Sequence, residues 1–188
     1  MRLVETPIEG VFVVEPIPQT DRRGFFARTW SAEEFRRRGL ASCWVQTSMS
    51  RTHQRGTIRG LHLQLPPSQE VKLVRCTAGS IYDVVVDVRD DSPTAGRTFT
   101  VELDDVGGRQ LYIPAGVAHG FQTLADHVDV SYAMDREYDP AAAAGCRFDD
   151  PQLALKWPLA VAVISDRDVA LPGLADLRRA WQKAFEAP

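Results

Sequence analysis

Along most of the chain, apolar residues recur at every second position in short runs, the pattern of half-buried strands. Such runs include VFVVEPI at 11–17, GFFARTW at 24–30, CWVQTSMS at 43–50, TIRGLHLQL at 57–65 and EVKLVRC at 70–76. IYDVVVDVR, RTFTVEL, RQLYIP, HGFQTL and HVDVSYAM continue the series to residue 134. They are rich in Val, Ile, Thr and aromatics, and clusters of Gly, Pro, Asp and Ser separate them. Asp21 to Gly24 is a turn signal. Short strands at this spacing predict an all-β antiparallel sandwich or barrel rather than an α/β sheet.

Two segments change period. Ser31 can cap a short helix near residues 32–38, with Glu34 as its reciprocal partner and Gly39 as the stop. Leu174, Leu177, Trp181 and Phe185 share one face of a helix expected over about 174–186, packed on the barrel. The alanines 141–144 read as a loop or short turn after Pro140. No internal repeat or low-complexity linker divides the chain, so residues 1–188 are expected to form a single domain.

Composition narrows the partners. Hydrophobic residues make up 44%, enough for an ordinary core. A net charge of -3 gives no bulk attraction to nucleic acid or to an anionic membrane, and neither is expected as a partner. No apolar stretch is long enough to cross a bilayer, and MRLVETPIEG has no signal core. Cys43, Cys76 and Cys146 show no CxxC spacing and read as reduced thiols of a cytoplasmic protein.

Two histidine-bearing runs carry the chemistry. His62 sits in GTIRGLHLQ, and His119 in PAGVAHGF. Gly56, His62, Glu70 and Gly79 resemble the first signature of a cupin. Gly108, Pro114, Gly116 and His119 resemble the second. The implied fold is a cupin-type double-stranded β-helix, or jelly-roll barrel. Residues 62 and 64 share a strand face, where most cupins place two metal-binding histidines. Here the second is Gln64, and a neutral amide is a poor ligand for zinc or iron. His62, Glu70 and His119 would make three donors only with Gln64 left out, so no metal is expected. Alone, His119 reads as a buried histidine satisfied by backbone.

The chain resembles the dTDP-4-dehydrorhamnose 3,5-epimerase family over roughly residues 5–172. The matching pieces include DRRGFF, WVQTSMS, GTIRGLHLQLPP, KLVRCTAGSIYDVVVDVRDDSPT, LYIPAGVAHGFQTL, VSYAMDREYDP and ISDRD, in that order. The resemblance implies an enzyme that inverts carbons 3 and 5 of a dTDP-4-keto-6-deoxyhexose with no metal or organic cofactor. It also implies a homodimer whose N-terminal strands complete the partner's site.

Removing a proton beside a ketone needs a base and a stabiliser for the oxyanion, and inversion needs an acid on the opposite face. His62 matches the family's base, and Asp168 the carboxylate that orients it. Read alone, Asp168 would be a surface carboxylate. Lys72 shares a strand face with Val74 and Cys76, which aims it inward, where it needs an anion. The enolate is the expected partner, with a phosphate as the second choice and a solvated rim position as the bland one. Tyr132 lies on an apolar face, where an aromatic is ordinarily core. The family places its proton donor there.

Arg23, Arg59 and His119 match substrate-contacting positions, the arginines suiting a diphosphate. Phe26 and Tyr138 match stacking positions, and Gln46 a polar contact. For these three, ordinary packing is an equal reading. Ser48 and Arg167 occupy substrate-contacting positions where the family usually has asparagine and lysine. Arg28, Phe148 and the alanine near 143 are further departures. They leave the proton-transfer set intact and bear on sugar orientation. Two alternatives stay open: an epimerase of carbon 3 alone, and a cupin that binds a sugar nucleotide without turning it over.

Overall fold

The computed structural model describes residues 1–186. Its strands, in chain order, are β1 (Arg2–Glu5), β2 (Phe12–Glu15), β3 (Gln19–Asp21), β4 (Gly24–Phe26), β5 (Gln46–Thr52), β6 (Ile58–Gln64) and β7 (Lys72–Ala78). They continue as β8 (Ser80–Asp87), β9 (Thr98–Asp104), β10 (Gln110–Ile113), β11 (Val117–Thr123), β12 (Val128–Met134) and β13 (Ala143–Gly145). Three helices join them: α1 (Ala32–Arg37), α2 (Asp166–Val169) and α3 (Leu174–Glu186).

Six strands form one sheet in the order β1-β2-β10-β7-β12-β5, and five form the other in the order β13-β6-β11-β8-β9. Apart from β1-β2 and β8-β9, neighbours within the two sheets are not consecutive in sequence. Strand β7 lies between β10 and β12, and β11 between β6 and β8, and every paired strand runs antiparallel to its neighbour. This crossing is that of a jelly roll, the cupin-type fold expected from the sequence. The hairpin β3-β4 stands outside both sheets.

The alternating pattern has its expected cause. Val13, Val74, Cys76, Val85, Leu111, Phe121 and Val130 turn inward and pack between the sheets. A second cluster covers the outer face of the five-stranded sheet, where Leu174, Leu177 and Trp181 of α3 meet Val84, Val86 and Leu61. Burying a leucine such as Leu177 there contributes about 1.5–3 kcal/mol. A third joins Phe35 of α1 to Leu73 and Tyr112. One half of the expected cap of α1 is present, the Ser31 hydroxyl accepting from the Glu34 N–H at 3.5 Å, while the Glu34 carboxylate lies 3.8 Å from Arg28 instead of returning to Ser31.

Three details depart from expectation. Strand 24–30 ends at Phe26, because its exposed hairpin has no third strand to extend it. The alanine run is not simply a loop: residues 143–145 form β13 and pair with Gln64, Leu63 and His62 of β6. Small residues permit this approach, since a Cβ on Gly145 would come within 2.1 Å of the Leu61 carbonyl. Phe185 shares the helical face but stays 61% exposed, stacked edge-on against Trp181.

All three cysteines are free. Burial pushes the Cys76 thiol up to about 11 and the Cys146 thiol up to about 12, so neither forms a reactive thiolate near neutrality. An alkylating reagent at pH 8 should therefore label only Cys43 in the native protein and all three cysteines after unfolding. Mass spectrometry of the labelled peptides checks this.

Candidate active site

The two sheets enclose a cavity of about 470 Å³. A second cavity, about 340 Å³, adjoins it, and His62, Lys72, Tyr132 and Arg167 line both. His62 comes from β6 in one sheet; Lys72 on β7 and Tyr132 on β12 come from the other. Side chains of different chemistry thus face one another across the slot.

His62 Nε2 lies 2.6 Å from Asp168 Oδ1. The bond spans 106 residues, and local structure explains how it forms. After residue 160 the chain runs back along β6: Ala162 N–H donates to the Gly56 carbonyl and Ile58 N–H to the Val163 carbonyl. Ser165 then caps α2 by accepting from the Asp168 N–H, which fixes the carboxylate beneath the imidazole. The Gly60 N–H donates to Asp168 Oδ2 at 3.1 Å. Gly60 allows β6 to approach β11 closely: it has φ +112°, and a Cβ there would lie 2.6 Å from Gly120 Cα. Burial raises the Asp168 pKa, but hydrogen bonding and charge from His62, with the Gly60 and Ser165 bonds, outweigh it and hold the carboxyl below its ordinary value. An ionised Asp168 accepting from Nε2–H leaves Nδ1 of the ring as the free basic nitrogen.

Lys72 does not wait for an anion to arrive. Its Nζ is 2.8 Å from Glu70 Oε1 and 3.4 Å from the His62 carbonyl oxygen. The expected enolate or phosphate is thus not its partner in the free protein. A carboxylate two residues upstream provides the compensation that burial demands. The Tyr132 hydroxyl is 3.3 Å from Ser50 Oγ. Burial pushes its pKa up to about 12, so the phenol keeps its proton at any physiological pH.

His119 faces His62 in the β6-β11 register and lines the larger cavity. Its Nε2 is 2.5 Å from Asp83 Oδ1, a partner that sequence reading missed. Asp83 is fully buried, and burial drives its carboxyl pKa upward against the opposing pull of His119. A signal was available: an aspartate between Ile81 and Val85 on the core-facing side of an apolar strand demands a buried partner.

Arg59 lines the larger cavity, its guanidinium donating to Thr52 Oγ1 at 3.0 Å. Gln46, Ser48 and Tyr138 line the smaller one. Arg23 and Phe26 do not reach either cavity of their own chain. Both are exposed on the β3-β4 hairpin, Phe26 75% so, and Arg23 pairs with Asp21.

The cupin metal positions are differently employed. His62 pairs with Asp168, Glu70 with Lys72 and His119 with Asp83. Gln64 Nε2 donates to the Ser68 and Glu137 carbonyls, and its Oε1 accepts from Asp139 N–H. Among the described residues no three His, Cys, Asp or Glu side chains converge as a metal site. The donor set does not fit a transition metal.

A barrel carrying a paired histidine on one wall and a lysine and a protonated tyrosine on the other defines an acid–base enzyme of the cupin class. Comparison with known proteins narrows this. The family model described as dTDP-4-dehydrorhamnose 3,5-epimerase matches residues 5–176, and the chain belongs to that family of isomerases. It is 39% identical over 176 residues to the dTDP-4-dehydrorhamnose 3,5-epimerase of Sinorhizobium fredii, covering 93% of this chain and 90% of that one. It is 37% identical to the dTDP-4-dehydrorhamnose 3-epimerase of Streptomyces niveus, covering 96% and 87%. The crystal structure of dTDP-4-dehydrorhamnose 3,5-epimerase from Elizabethkingia anophelis superposes with a TM-score of 0.90 at 34% identity, covering 94% of this chain and 97% of that one.

The raised Tyr132 pKa is directly measurable. In a spectrophotometric titration, the difference between wild type and Tyr132→Phe should show a phenolate midpoint near 12, not near 10. A midpoint near 10 would place the hydroxyl in water.

Proposed function

We propose that this enzyme inverts carbons 3 and 5 of a dTDP-4-keto-6-deoxyhexose, without a metal. The observation that carries the reading is the opposition across the slot: His62 from one sheet, Tyr132 and Lys72 from the other. Nδ1 of His62 takes the proton from the carbon beside the ketone, and Asp168 stabilises the imidazolium that results. The electron pair moves onto the keto oxygen, where the Lys72 ammonium meets the developing charge. Tyr132 returns a proton to the same carbon from the opposite face, giving the inverted centre. Exchange with water resets both groups before the second carbon reacts.

The diphosphate is assigned to Arg59 and Arg167, and the nucleoside to the smaller cavity with Gln46, Ser48 and Tyr138. His119, steadied by Asp83, faces the sugar. Because the Streptomyces niveus relative is named a 3-epimerase, inversion of carbon 3 alone is the second reading.

We further propose a homodimer in which β3-β4 enters the partner's site. Exposed Phe25 and Phe26 on the hairpin support this, as does the distance of Arg23 and Phe26 from their own cavity. Free thiols favour a cytoplasmic setting. Among the described residues no helix is long and apolar enough to cross a membrane.

In heavy water with dTDP-4-keto-6-deoxyglucose, the enzyme should place deuterium at carbons 3 and 5. Label at carbon 3 alone selects the narrower enzyme, and tight binding without label would refute turnover. His62→Ala should lower the exchange rate by about 10²–10⁴-fold while still binding dTDP. Mixing His62→Ala with an Arg23→Ala/Phe26→Ala variant should restore activity, to about a quarter of wild type for random two-fold pairing. No recovery, with mixed dimers shown to form, would exclude the shared site.

A further inference from the structure

The Lys72–Glu70 pair carries more than charge balance. Glu70 is only 8% exposed, and the side chains of the two residues are 5% and 15% exposed. One carboxylate oxygen holds Lys72 at 2.8 Å, while the other, Oε2, is buried with no hydrogen-bond partner. Burying a carboxylate with half its acceptors unmet is costly, and such a pair adds little net stability over apolar residues of the same size. What the pair fixes is position. An ammonium on a flexible four-carbon stem has three donors and no preferred direction of its own. Here one donor is directed to Glu70 and a second toward the His62 carbonyl oxygen at 3.4 Å. The third is left for the cavity that Lys72 lines.

We infer that Glu70 is a positioning residue for Lys72, clamping the ammonium beside the base so that its remaining N–H meets the keto oxygen of the substrate. The inference rests on the epimerase reading for what Lys72 does, but not for the clamp itself. It gives the glutamate of the first cupin signature a new task. Where a metal cupin uses this carboxylate as a ligand, here it holds the organic cation that stands at the oxyanion. The same clamp ties acid–base and electrostatic parts together, because the second tether of Lys72 is the backbone of His62.

Two measurements separate the clamp from the reaction. The chain has three lysines, Lys72, Lys156 and Lys183, of which the last two are exposed and serve as internal references. Reductive methylation followed by peptide mass spectrometry should show Lys72 reacting several-fold faster in Glu70→Gln than in wild type, with the references unchanged. Equal reactivity of Lys72 in the two proteins overturns the inference, whatever the enzyme's substrate.

In the exchange assay, Glu70→Gln should lose about 100-fold in kcat with little change in KM, as expected for a misplaced transition-state contact. Glu70→Asp should recover part of the loss. In a Lys72→Met background, adding Glu70→Gln should change nothing further. An undiminished loss in that background would show that Glu70 acts independently of Lys72, and wild-type kcat in Glu70→Gln would show that it does not act at all. Either result overturns the inference. If Glu70→Gln does not fold, comparison of Lys72→Met with the double variant still decides the matter, since the double variant leaves no buried charge unpaired. Failure of the wild type to exchange at all would sink the epimerase reading, while the methylation result would still report on the clamp.

Discussion

The 2.6 Å bond between His62 and Asp168 is the constraint around which the site is organised. It requires that the chain, having finished its sheets, return along β6 and end in a four-residue helix whose cap points one carboxylate at one imidazole. That return is held by backbone bonds at the Gly56 carbonyl and the Ile58 N–H, by the Gly60 N–H on the Asp168 carboxylate, and by the Ser165 hydroxyl cap. The carboxylate is 4% exposed, so it cannot exchange its imidazole partner for water without unfolding the strap. Rigidity of this kind holds the imidazole in one tautomer.

Three paired side chains line the space between the sheets: His62 with Asp168, Lys72 with Glu70, His119 with Asp83. Each of these side chains has one partner beside it, which is how an apolar barrel interior tolerates them, although Glu70 Oε2 and Asp83 Oδ2 stay without a hydrogen bond. The same matching removes the convergent, unpaired donors that a metal needs. The balance between metal chemistry and proton chemistry in this fold is thus set by where the carboxylates lie. A glutamate beside a lysine and an aspartate beneath each histidine commit the barrel to charge-balanced organic groups.

The two cavities divide the labour. The larger one holds His119, Arg59 and the His62–Asp168 pair. Of the departures from the family pattern, Ser48, Ala143 and Arg167 line the smaller one, and Arg167 lines the larger one as well. The small side chains of Ala143 and Ala144 line the same cavity as His62 and Lys72. Changes at Ser48 and Ala143 therefore alter that wall while His62, Lys72 and His119 keep their carboxylate partners.

The period-two pattern was enough to establish an antiparallel all-β chain, and the spacing of glycines around His62 and His119 pointed to the double-stranded β-helix. Ser31 and the 174, 177, 181 stripe located two helices, because capping and amphipathicity are local. What stayed illegible was long-range. Nothing in the sequence near Asp83 names His119, nothing near Lys72 distinguishes Glu70 from an incoming enolate, and no pattern rule turns Ala143, Ala144 and Gly145 into a strand. Those pairings arise only when sheets stack and strands from distant parts of the chain become neighbours. The sequence by itself determined which faces would be buried. Tertiary structure alone decided which buried charges would meet, since burial compels each to find a partner but leaves the choice to whichever strand the topology places opposite.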